Sequence, residues 1–199
     1  MGVSRNDIVL ASITILNREG IAGLSMRTIA QELKIKAASL YHHFSGKTEL
    51  YGEIAEYMCV KNINPNESLE TKEYIIASAV SYRAMLLTVR DSVSIFGNSM
   101  PNTPYRIEII KLLMKRLKDI GIDNKNLKTV SNLIGNYVLS FTEDELRFKS
   151  RTPEEIQGFI NILNPGDRQI FIGESDFDEQ FLFGLRLLLI GIESITNIL

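Results

Sequence analysis

A run of small and polar side chains in the first quarter of the chain has the chemistry needed to contact DNA. Ala37 and Ala38 leave room for a close approach, and their methyl groups can touch the methyl group of thymine. The hydroxyl groups of Ser39 and Tyr41 and the imidazole of His43 can bond base edges or phosphates. These residue types suit a helix that enters a groove of the double helix.

The flanking sequence predicts two helices and a tight turn that together hold these side chains. Ser25 is expected to cap the first helix, because its hydroxyl can accept a hydrogen bond from a free amide of the first turn. Apolar residues then recur at helical spacing, at Ile29, Ala30 and Leu33. After the turn, a second helix over residues 37–44 directs Leu40 and Phe44 inward. This is the helix-turn-helix arrangement, in which the second helix is the recognition helix.

The same residues also fit a purely structural interpretation. Any two amphipathic helices joined by a turn produce a similar pattern, and His42 and His43 are also explained as solvated surface imidazoles. Tyr41 is compatible with half-buried packing. Because adjacent positions of a helix point about 100° apart, His42 and His43 cannot chelate one metal ion together.

A longer stretch of the chain resembles the N-terminal domain of the TetR family of transcriptional regulators. The resemblance is carried by GLSMRTIAQEL at residues 23–33, SLYHHF at residues 39–44, Lys47 and the pair Glu49-Leu50. It covers residues 4 to about 56, with the order, spacing and types of the residues in agreement.

The resemblance implies an all-α protein whose two domains have different tasks. Residues 1–47 would form a three-helix, helix-turn-helix DNA-binding domain, and residues 48–199 a helical C-terminal domain for ligand binding and dimerisation. Arg27, Tyr41 and Lys47 would contact phosphates of double-stranded DNA. The full set of residues expected at the DNA is Ser25, Arg27, Ala37, Ala38, Ser39, Tyr41, His42, His43 and Lys47.

The charge distribution agrees with a protein that places one end on DNA. The chain of 199 residues has a net charge of -2, but residues 1–47 carry an excess of three positive charges and the remainder an excess of five negative ones. The single cysteine, Cys59, excludes an internal disulfide and fits a reducing, cytoplasmic location, where it is expected to be packed and inert. We expect neither a signal peptide nor a membrane span, because the apolar runs are short or interrupted.

Apolar periodicity predicts nine or ten helices and no strands. The expected longer helices span residues 4–19, 47–60, 71–90, 105–120, 124–148 and 178–199, and a short one starts at 152–155. The expected loops span residues 62–68, 94–104 and 164–175, the last two with one helical turn each.

Two of these helices are too apolar to face water. A helix that is apolar around most of its circumference is covered on two sides, and for residues 124–148 and 178–199 one cover can be a second subunit. Gly135, Gly184 and Gly191 would let backbones approach closely. We therefore expect a homodimer through these two helices, the alternative being a thick core within one subunit. A dimer would bind a palindrome with half-sites about 34–36 Å apart.

The body of the chain resembles the C-terminal domain of the tetracycline repressors, a branch of the same family. The similar segments are Arg90-Asp91 followed by residues 92–97 and Pro101, and then residues 135–139, 143–145 and 181–185. In that branch the domain binds a drug–magnesium complex between helices, and binding spreads the two recognition heads apart.

Three positions depart from the tetracycline repressors. With the sequences aligned over residues 90–101, the magnesium-binding histidine of those proteins falls on Phe96, the drug-contacting histidine near Ile63 and an asparagine near Ser78. Phenylalanine and isoleucine can neither ligate magnesium nor hydrogen-bond a ligand. We therefore predict that the protein does not sense tetracycline–magnesium and has no metal site. The acids at 143–145 stand near the place of an acid that the second subunit of those repressors supplies, but we expect them to form a solvated helix end.

The residues expected around a cavity in the body are mostly apolar, with a few hydroxyl groups. Such a lining suits a hydrophobic or aromatic small-molecule effector, and methionines adapt to varied shapes. Each residue taken alone is also compatible with ordinary core packing. The candidates for ligand contact are Tyr57, Met58, Ser78, Tyr82, Met85, Ile95, Phe96, Met100, Tyr105, Ile109, Tyr137 and Phe141.

Three functional hypotheses follow. The first is a dimeric, palindrome-binding transcriptional repressor that a hydrophobic or aromatic ligand releases from DNA. The second, an enzyme, is not supported, because there is no nucleophile motif, metal-ligand spacing or glycine-rich phosphate loop, and no cofactor is expected. The third is a dimeric small-molecule-binding or interaction protein that has lost DNA recognition; the intact Tyr41, His43 and Lys47 argue against it.

Overall fold

Every regular element of the described chain is a helix, as the periodicity predicts. The structure is a computed structural model that describes residues 2–172 and 176–196, with all side chains except those of 169–172 and 195–196. Its helices are α1 Arg5–Glu19, α2 Met26–Glu32, α3 Ala37–Leu40, α4 Lys47–Asn62, α5 Thr71–Leu86, α6 Ser92–Gly97, α7 Pro104–Asp119, α8 Leu127–Lys149, α9 Pro153–Ile162, α10 Pro165–Ile172 and α11 Phe177–Thr196.

Helices α1 to α3 form a small head around fully buried apolar side chains. Ser4 begins α1 with a reciprocal cap, in which its hydroxyl accepts the Asp7 amide at 3.2 Å and the Asp7 carboxylate accepts the Ser4 amide at 2.8 Å. Gly20 ends α1 with a φ of 73°, and a Cβ atom there would lie 2.7 Å from Oδ2 of Asp91. The core residues of the head include Ile8, Ile15, Leu16, Leu24, Ile29, Leu40 and Phe44.

Helix α4 connects the head to the body. It contacts α1 on one side and α5, α6 and α7 on the other. Its buried residues are Leu50, Tyr51, Gly52, Ile54, Ala55, Met58 and Cys59. One continuous helix therefore contacts both parts of the molecule.

An ion-pair network centred on the buried pair Arg83 and Glu145 ties three helices of the body together. Arg83 on α5 donates to Glu145 on α8 and to Asp178 on α11, each at 2.7 Å. Lys149 donates to the second oxygen of Glu145 at 2.6 Å. Burial acts to raise the pKa of Glu145, but hydrogen bonds from Arg83 and Lys149 outweigh it and hold that pKa below its ordinary value.

This network corrects the prediction for the acids at 143–145. Glu143 and Asp144 are exposed, as expected of a solvated helix end. Glu145 is 1% exposed, and for it the prediction is wrong. The physical reason is Arg83, which reaches the inner face of α8 from α5 and supplies the partner that lets a carboxylate be buried.

Four other segments differ from the sequence prediction, while the remaining helices agree within three residues. The second helix of the helix-turn-helix ends at Leu40 rather than 44. Helix α5 ends at Leu86, where two hydroxyl groups cap its last carbonyls: Thr88 donates to the carbonyl of Met85 at 2.6 Å and Ser92 to that of Leu86 at 2.5 Å.

The other two differences are helices in predicted loops. Helix α6 occupies part of the loop expected at 94–104, and α10 occupies part of the loop expected at 164–175. Pro165 stands at the first position of α10 and Asp167 in its first turn, and both are start signals that outweigh the loop character of the surrounding residues. Residues 173–175 of that loop, and residues 197–199 of the last helix, lie outside the described residues.

Candidate DNA-binding surface and ligand cavity

The recognition segment, residues 36–44, exposes its small and polar side chains and buries its large apolar ones. Leu40 and Phe44 are 0% and 1% exposed, as predicted. The exposed side chains include those of Ala37, Ala38, Ser39, Tyr41 and His42, with His43 half-buried. Tyr41 is 59% exposed, which excludes half-buried packing for it.

Backbone geometry shapes this segment although its α-helical part is short. Lys34 reverses the chain direction between α2 and α3 with a left-handed φ of 55°. At the other end, the carbonyl of Leu40 accepts hydrogen bonds from the amides of both His43 and Phe44, at 2.9 and 3.0 Å. The last turn is thereby tightened, and this ends the α-helix earlier than predicted.

Ser25 caps α2, as predicted. Its hydroxyl accepts the Thr28 amide at 3.1 Å, and the Thr28 hydroxyl accepts the Ser25 amide at 2.9 Å. Ser25 is half-buried, whereas Arg27 in the first turn of α2 and Lys47 at the first position of α4 are exposed.

Arg5, at the start of α1, fastens the recognition segment to α4. Its guanidinium donates to the backbone carbonyl of His43, and to the carboxylates of Glu49 and Glu53 on α4 at 2.9 and 3.0 Å. The guanidinium carbon lies 4.3 Å from the centre of the Phe44 ring. The sequence predicted no specific contact for Arg5, which contributed only to the net positive charge of residues 1–47.

Internal ion pairs determine which basic residues of the head remain for DNA. Arg18 pairs with Glu19 and Glu32 at 2.9 and 2.8 Å, so it is engaged within the head like Arg5. In the described part of the head, the basic residues that form no ion pair are Arg27, Lys34, Lys36 and Lys47. All four are exposed; Lys36 begins the recognition segment, and the other three lie before or after it in the sequence.

A cavity of about 360 Å³ lies in the body and is lined by residues of α4, α5, α6, α7 and α8. Its volume is within the range of small-molecule sites. Four of the twelve predicted ligand contacts line it, namely Ser78, Tyr82, Phe96 and Ile109. Ile63 also lines it, so the positions aligned with ligand-binding residues of the tetracycline repressors do face this cavity.

Five of the predicted ligand contacts pack elsewhere in the core. Met58, Met85 and Ile95 are at most 1% exposed and lie outside the lining. Tyr137 and Phe141 pack instead on α11, where both rings contact Phe181. These residues share apolar helices with the lining but point to other neighbours.

The last three predicted contacts lie near the edge of the body. Met100 is 70% exposed. The hydroxyl of Tyr105 donates to the carbonyl of Ile63 at 2.6 Å, and the ring of Tyr57 lies 5.8 Å from the amine of Lys61. None of the three lines the cavity.

Several polar residues of the lining were not predicted as ligand contacts from the sequence. They are Cys59, Tyr74, Ser99, Arg106, Ser131, Asn132 and Asn136. For Arg106 a signal existed, because it lies three and seven residues before Ile109 and Leu113 and therefore on the same apolar face of α7.

The environment of the cavity perturbs its ionisable groups. Arg106 is 7% exposed, and its Nη1 donates to the hydroxyl of Ser99 at 3.1 Å and to the carbonyl of Met100 at 3.0 Å. Burial lowers the pKa of Arg106 and raises the pKa of the Cys59 thiol to about 12. Cys59 is thus protonated near neutral pH, which agrees with the expectation of an inert thiol.

A carboxylate of α4 connects the cavity wall to the helix that carries the head. Glu56 accepts hydrogen bonds from the hydroxyl of Thr103 at 2.6 Å and from the amides of Tyr105 and Arg106 at 2.8 and 3.1 Å. These groups form the N-terminus of α7, where a negative charge is favourable. The first turn of α7 is therefore bonded directly to α4.

A second connection joins the turn between α5 and α6 to the end of α1. Asp91 accepts the amide of Ile21 at 2.6 Å. The amide of Arg90 donates to the side chain of Asn17 at 3.0 Å. Head and body are thus joined by side-chain hydrogen bonds as well as by α4.

The outer faces of α8 and α11 carry large exposed apolar residues. They are Leu133 at 46%, Phe183 at 66%, Leu187 at 54% and Ile190 at 60% exposure. Between the two helices the fit is close, since a Cβ atom at Gly184 would clash with the hydroxyl oxygen of Tyr137. That hydroxyl donates to the carbonyl of Phe181 at 2.8 Å.

Membrane spans and clustered metal ligands are both absent from residues 2–172 and 176–196. None of the helices there combines the length and the apolar character that a membrane span requires. Within the same residues, no three His, Cys, Asp or Glu side chains are grouped as ligands for a metal ion.

Comparison with known proteins places both parts of the chain in one family. Residues 8–54 match the model for bacterial regulatory proteins of the tetR family. Residues 65–196, which are well over half of the chain, match the model for the tetracyclin repressor-like C-terminal domain.

Individual proteins match over nearly the whole length. The tetracycline repressor protein class E of Escherichia coli is 26% identical over 194 residues, which cover 95% of this chain and 90% of that protein. The Streptomyces coelicolor TetR family protein ActR, in complex with (S)-DNPA, aligns with a TM-score of 0.81 at 25% identity, covering 98% of this chain and 99% of that one. Mycobacterium smegmatis BioQ, and BioQ with its natural double-stranded DNA operator, each align with a TM-score of 0.77 at 27% identity, covering 96% and 99%. With its helix-turn-helix head and its tetracycline-repressor-like body, the chain belongs to the TetR family of DNA-binding transcriptional regulators.

Proposed function

We propose that this protein is a transcriptional repressor that binds a palindromic DNA site as a homodimer. A small hydrophobic or aromatic ligand, other than tetracycline–magnesium, fills the cavity and releases the protein from DNA. Residues 1–47 serve as the DNA-binding domain, and residues 48–199 serve for ligand binding and dimerisation.

The observation that carries this proposal is the recognition segment. Leu40 and Phe44 are buried in the head, and the groups that face outward are methyls, a hydroxyl, a phenol and an imidazole. Such a surface provides donors, acceptors and thymine-compatible methyl groups with little bulk. The exposed cations Arg27 and Lys47 supply the phosphate contacts that fix its register.

The outer faces of α8 and α11 support a homodimer. Phe183, Leu187 and Ile190 are all more than half exposed and lie on one helix, an apolar area that water would not favour. Gly191 on α11 has no atom within 4 Å of where a Cβ would stand, so another backbone can approach there. The twofold arrangement would give the palindrome specificity that one short recognition segment lacks.

The lining of the cavity argues against tetracycline–magnesium as the effector. The chain contains two histidines, His42 and His43, and both are in the head. The cavity therefore has no imidazole for a magnesium ion, and Phe96 and Ile63 line it at the positions that align with histidines of the tetracycline repressors. The class E repressor shares 26% identity, a level at which the fold persists while the ligand can change.

Release from DNA would follow the two connections between cavity and head. A ligand that displaces the first turn of α7 moves Glu56 and with it α4, while Asp91 transmits shifts of α6 to the chain that follows α1. The spacing of the two recognition segments in the dimer then changes. The ligand shifts this equilibrium only by as much as it prefers one spacing over the other.

Selection of random duplex DNA on the purified protein, at low and at moderate salt, tests the proposal. We expect enrichment of a twofold-symmetric site with half-site centres about one helical turn, roughly 10–10.5 base pairs, apart or a multiple of it. Only weak, unselective binding that moderate salt abolishes would contradict the repressor.

Variants of the head then test the assigned contacts. Tyr41→Ala combined with Lys47→Ala should weaken binding to the selected site. The slope of log affinity against log salt should also become shallower, by about 0.9 for each phosphate that the variant no longer neutralises. Lys118→Ala, which removes an exposed cation from α7, is the control and should leave the slope unchanged. Intact affinity in the double variant would exclude these contacts.

A further inference from the structure

Arg106 places a positive charge without a paired counter-ion on the wall of the cavity. Within the described residues, no carboxylate lies within 4.0 Å of its guanidinium, and its Nε and Nη2 atoms make no hydrogen bond. Glu56 acts on Arg106 only at longer range, and its carboxylate already accepts the hydroxyl of Thr103 and the amides that begin α7. The guanidinium of Arg106 therefore keeps two donors for another partner.

Such a charge is costly unless something binds it. A buried ion loses its hydration, and proteins normally offset the loss with an opposite charge and a full set of hydrogen bonds. Here the ring of Phe96, whose centre lies 5.1 Å from the guanidinium carbon, offsets part of the cost. The free Nε and Nη2 atoms leave room for an acceptor supplied from the cavity.

A second polar group of the lining also lacks a hydrogen bond. Tyr74 lines the cavity and is 1% exposed, and its hydroxyl has no hydrogen-bond partner among the described residues. Burial raises the pKa of Tyr74 and the nearby Ser78 acts to lower it, yet the two hydroxyls do not meet in hydrogen-bond geometry. Buried hydroxyl groups nearly always have a partner. Two under-satisfied donors in an otherwise largely apolar lining indicate a ligand with acceptor groups.

We propose that the ligand of this cavity is an organic anion, with an apolar or aromatic body and a carboxylate or sulfonate that the Arg106 guanidinium binds. Nε and Nη2 of a guanidinium can donate two parallel hydrogen bonds to one acidic group. The apolar body would lie against Ile75, Ile109 and Val138, which line the same cavity. This inference rests on the ligand-release function proposed above and names the chemical class of its ligand.

Two fluorescent probes that share one scaffold and differ in charge test the proposal. One is 1-anilinonaphthalene-8-sulfonate, and the other is its neutral parent, N-phenyl-1-naphthylamine. Both become fluorescent on entering an apolar site. Each is titrated against the full-length protein near neutral pH, and the ratio of the two dissociation constants isolates the contribution of the acidic group.

Substitution of Arg106 should change this ratio selectively. We expect Arg106→Met to weaken the anionic probe by about tenfold to a hundredfold, the size expected for hydrogen bonds to a charged group, while the neutral probe changes by less than about threefold. Arg106→Lys, which keeps the charge but loses the planar fork, should be intermediate. Lys115→Met is the matched control: it removes an exposed positive charge from the same helix outside the lining, and neither probe should respond.

A competition on the wild type keeps the test independent of how the variants fold. Displacement of the anionic probe by 1-naphthoate should require at least about tenfold less compound than displacement by the uncharged 1-naphthamide. The proposal is overturned if the two compounds compete equally, if Arg106→Met weakens both probes alike, if Lys115→Met has the same effect, or if neither probe binds the wild type.

These titrations contain no DNA, so their outcome is separate from that of the DNA selection. Failure to select a DNA site together with Arg106-dependent probe binding would remove the repressor and leave the anion site. A selected palindrome without charge-dependent probe binding would leave the repressor and remove the anion site.

Discussion

Two arginines of the body are buried to the same extent in opposite surroundings. Arg83 and Arg106 are each 7% exposed. Arg83 donates to the carboxylates of Glu145 and Asp178, whereas Arg106 donates to one hydroxyl and one backbone carbonyl. Burial acts to lower both pKa values; at Arg83 the two acids outweigh it and the pKa is raised, but at Arg106 burial prevails and the pKa is lowered.

The difference separates a charge that holds the fold from a charge that is available for binding. The Arg83 network spans α5, α8 and α11, so its loss leaves Glu145 buried beside a gap. No carboxylate pairs with Arg106 within the described residues, so we expect the packing around it to depend little on its charge. A buried charged group that lines a cavity and has no counter-ion is a functional candidate for this reason.

The largest expected effect is that of removing Arg83. We expect Arg83→Met to lower the free energy of unfolding by about 3 kcal/mol, because it breaks the buried pair and leaves the half-exposed Lys149 as the remaining partner of the buried Glu145 carboxylate. Urea denaturation at fixed protein concentration measures it. The double variant Arg83→Met with Glu145→Met should recover most of the loss. A cost below about 1 kcal/mol for Arg83→Met alone would contradict the structural role given to Arg83.

The close contact between α8 and α11 gives the next effect. A methyl group at residue 184 would clash with the Tyr137 hydroxyl, so Gly184→Ala should cost about 1–3 kcal/mol through overpacking. Adding Tyr137→Phe removes the oxygen and should recover part of the loss, a non-additivity that a double-mutant cycle detects. If the losses from Gly184→Ala and Tyr137→Phe are additive, the cost of the added methyl group does not come from the Tyr137 hydroxyl.

Neutralising Arg106 should cost far less than neutralising Arg83. Arg106→Met loses two hydrogen bonds to Ser99 and Met100 but also removes a buried charge, so we expect the free energy of unfolding to change by about 1 kcal/mol or less. The same urea titration provides the value beside that of Arg83→Met. If Arg106→Met lowers the free energy of unfolding as much as Arg83→Met does, Arg106 also stabilises the fold and the two arginines do not differ in role.

The head could be predicted from sequence because its determinants are local. The caps at Ser4 and Ser25 and the inward pair Leu40 and Phe44 depend on residues three or four positions apart, which helical spacing reveals. The bonds from Arg5 to α4 could not be predicted, since Glu49 and Glu53 are more than forty residues away in the sequence.

The cavity lining was harder to predict than the head, because it depends on the orientation of each long helix about its own axis relative to its neighbours. Met85 and Tyr82 are three residues apart on α5, yet only Tyr82 lines the cavity. Either side chain could lie in the packed core or in the cavity lining, so residue type does not distinguish the two positions. A charged residue on an apolar face, such as Arg106, is the more informative signal, because ordinary core packing does not account for it.

The smallest expected effect on the free energy of unfolding comes from the ion pairs of Arg5. They test whether ion pairs that are not buried stabilise the fold. The Ser45 amide, Arg5 and the Ser45 hydroxyl hold the pKa of Glu49 at about 2, below its ordinary 4.5. A lowered carboxyl pKa adds stability that is complete above the ordinary value and is lost as the pH falls through it toward 2. Because Glu49 is 38% exposed, solvent screens the interaction, and we expect Glu49→Gln to cost only about 0.5 kcal/mol near neutral pH.

The pH dependence of that small cost separates charge from geometry. Urea titrations at falling pH should show the difference between Glu49→Gln and wild type shrinking from about pH 4.5, where the carboxylate of the unfolded chain takes up its proton, to about pH 2, where that of the folded protein does. A difference that stays constant with pH would assign the effect to hydrogen-bond geometry. The electrostatic contrast between Arg83 and Arg106 would then apply to buried sites alone, where the surrounding protein screens charges far less than water does.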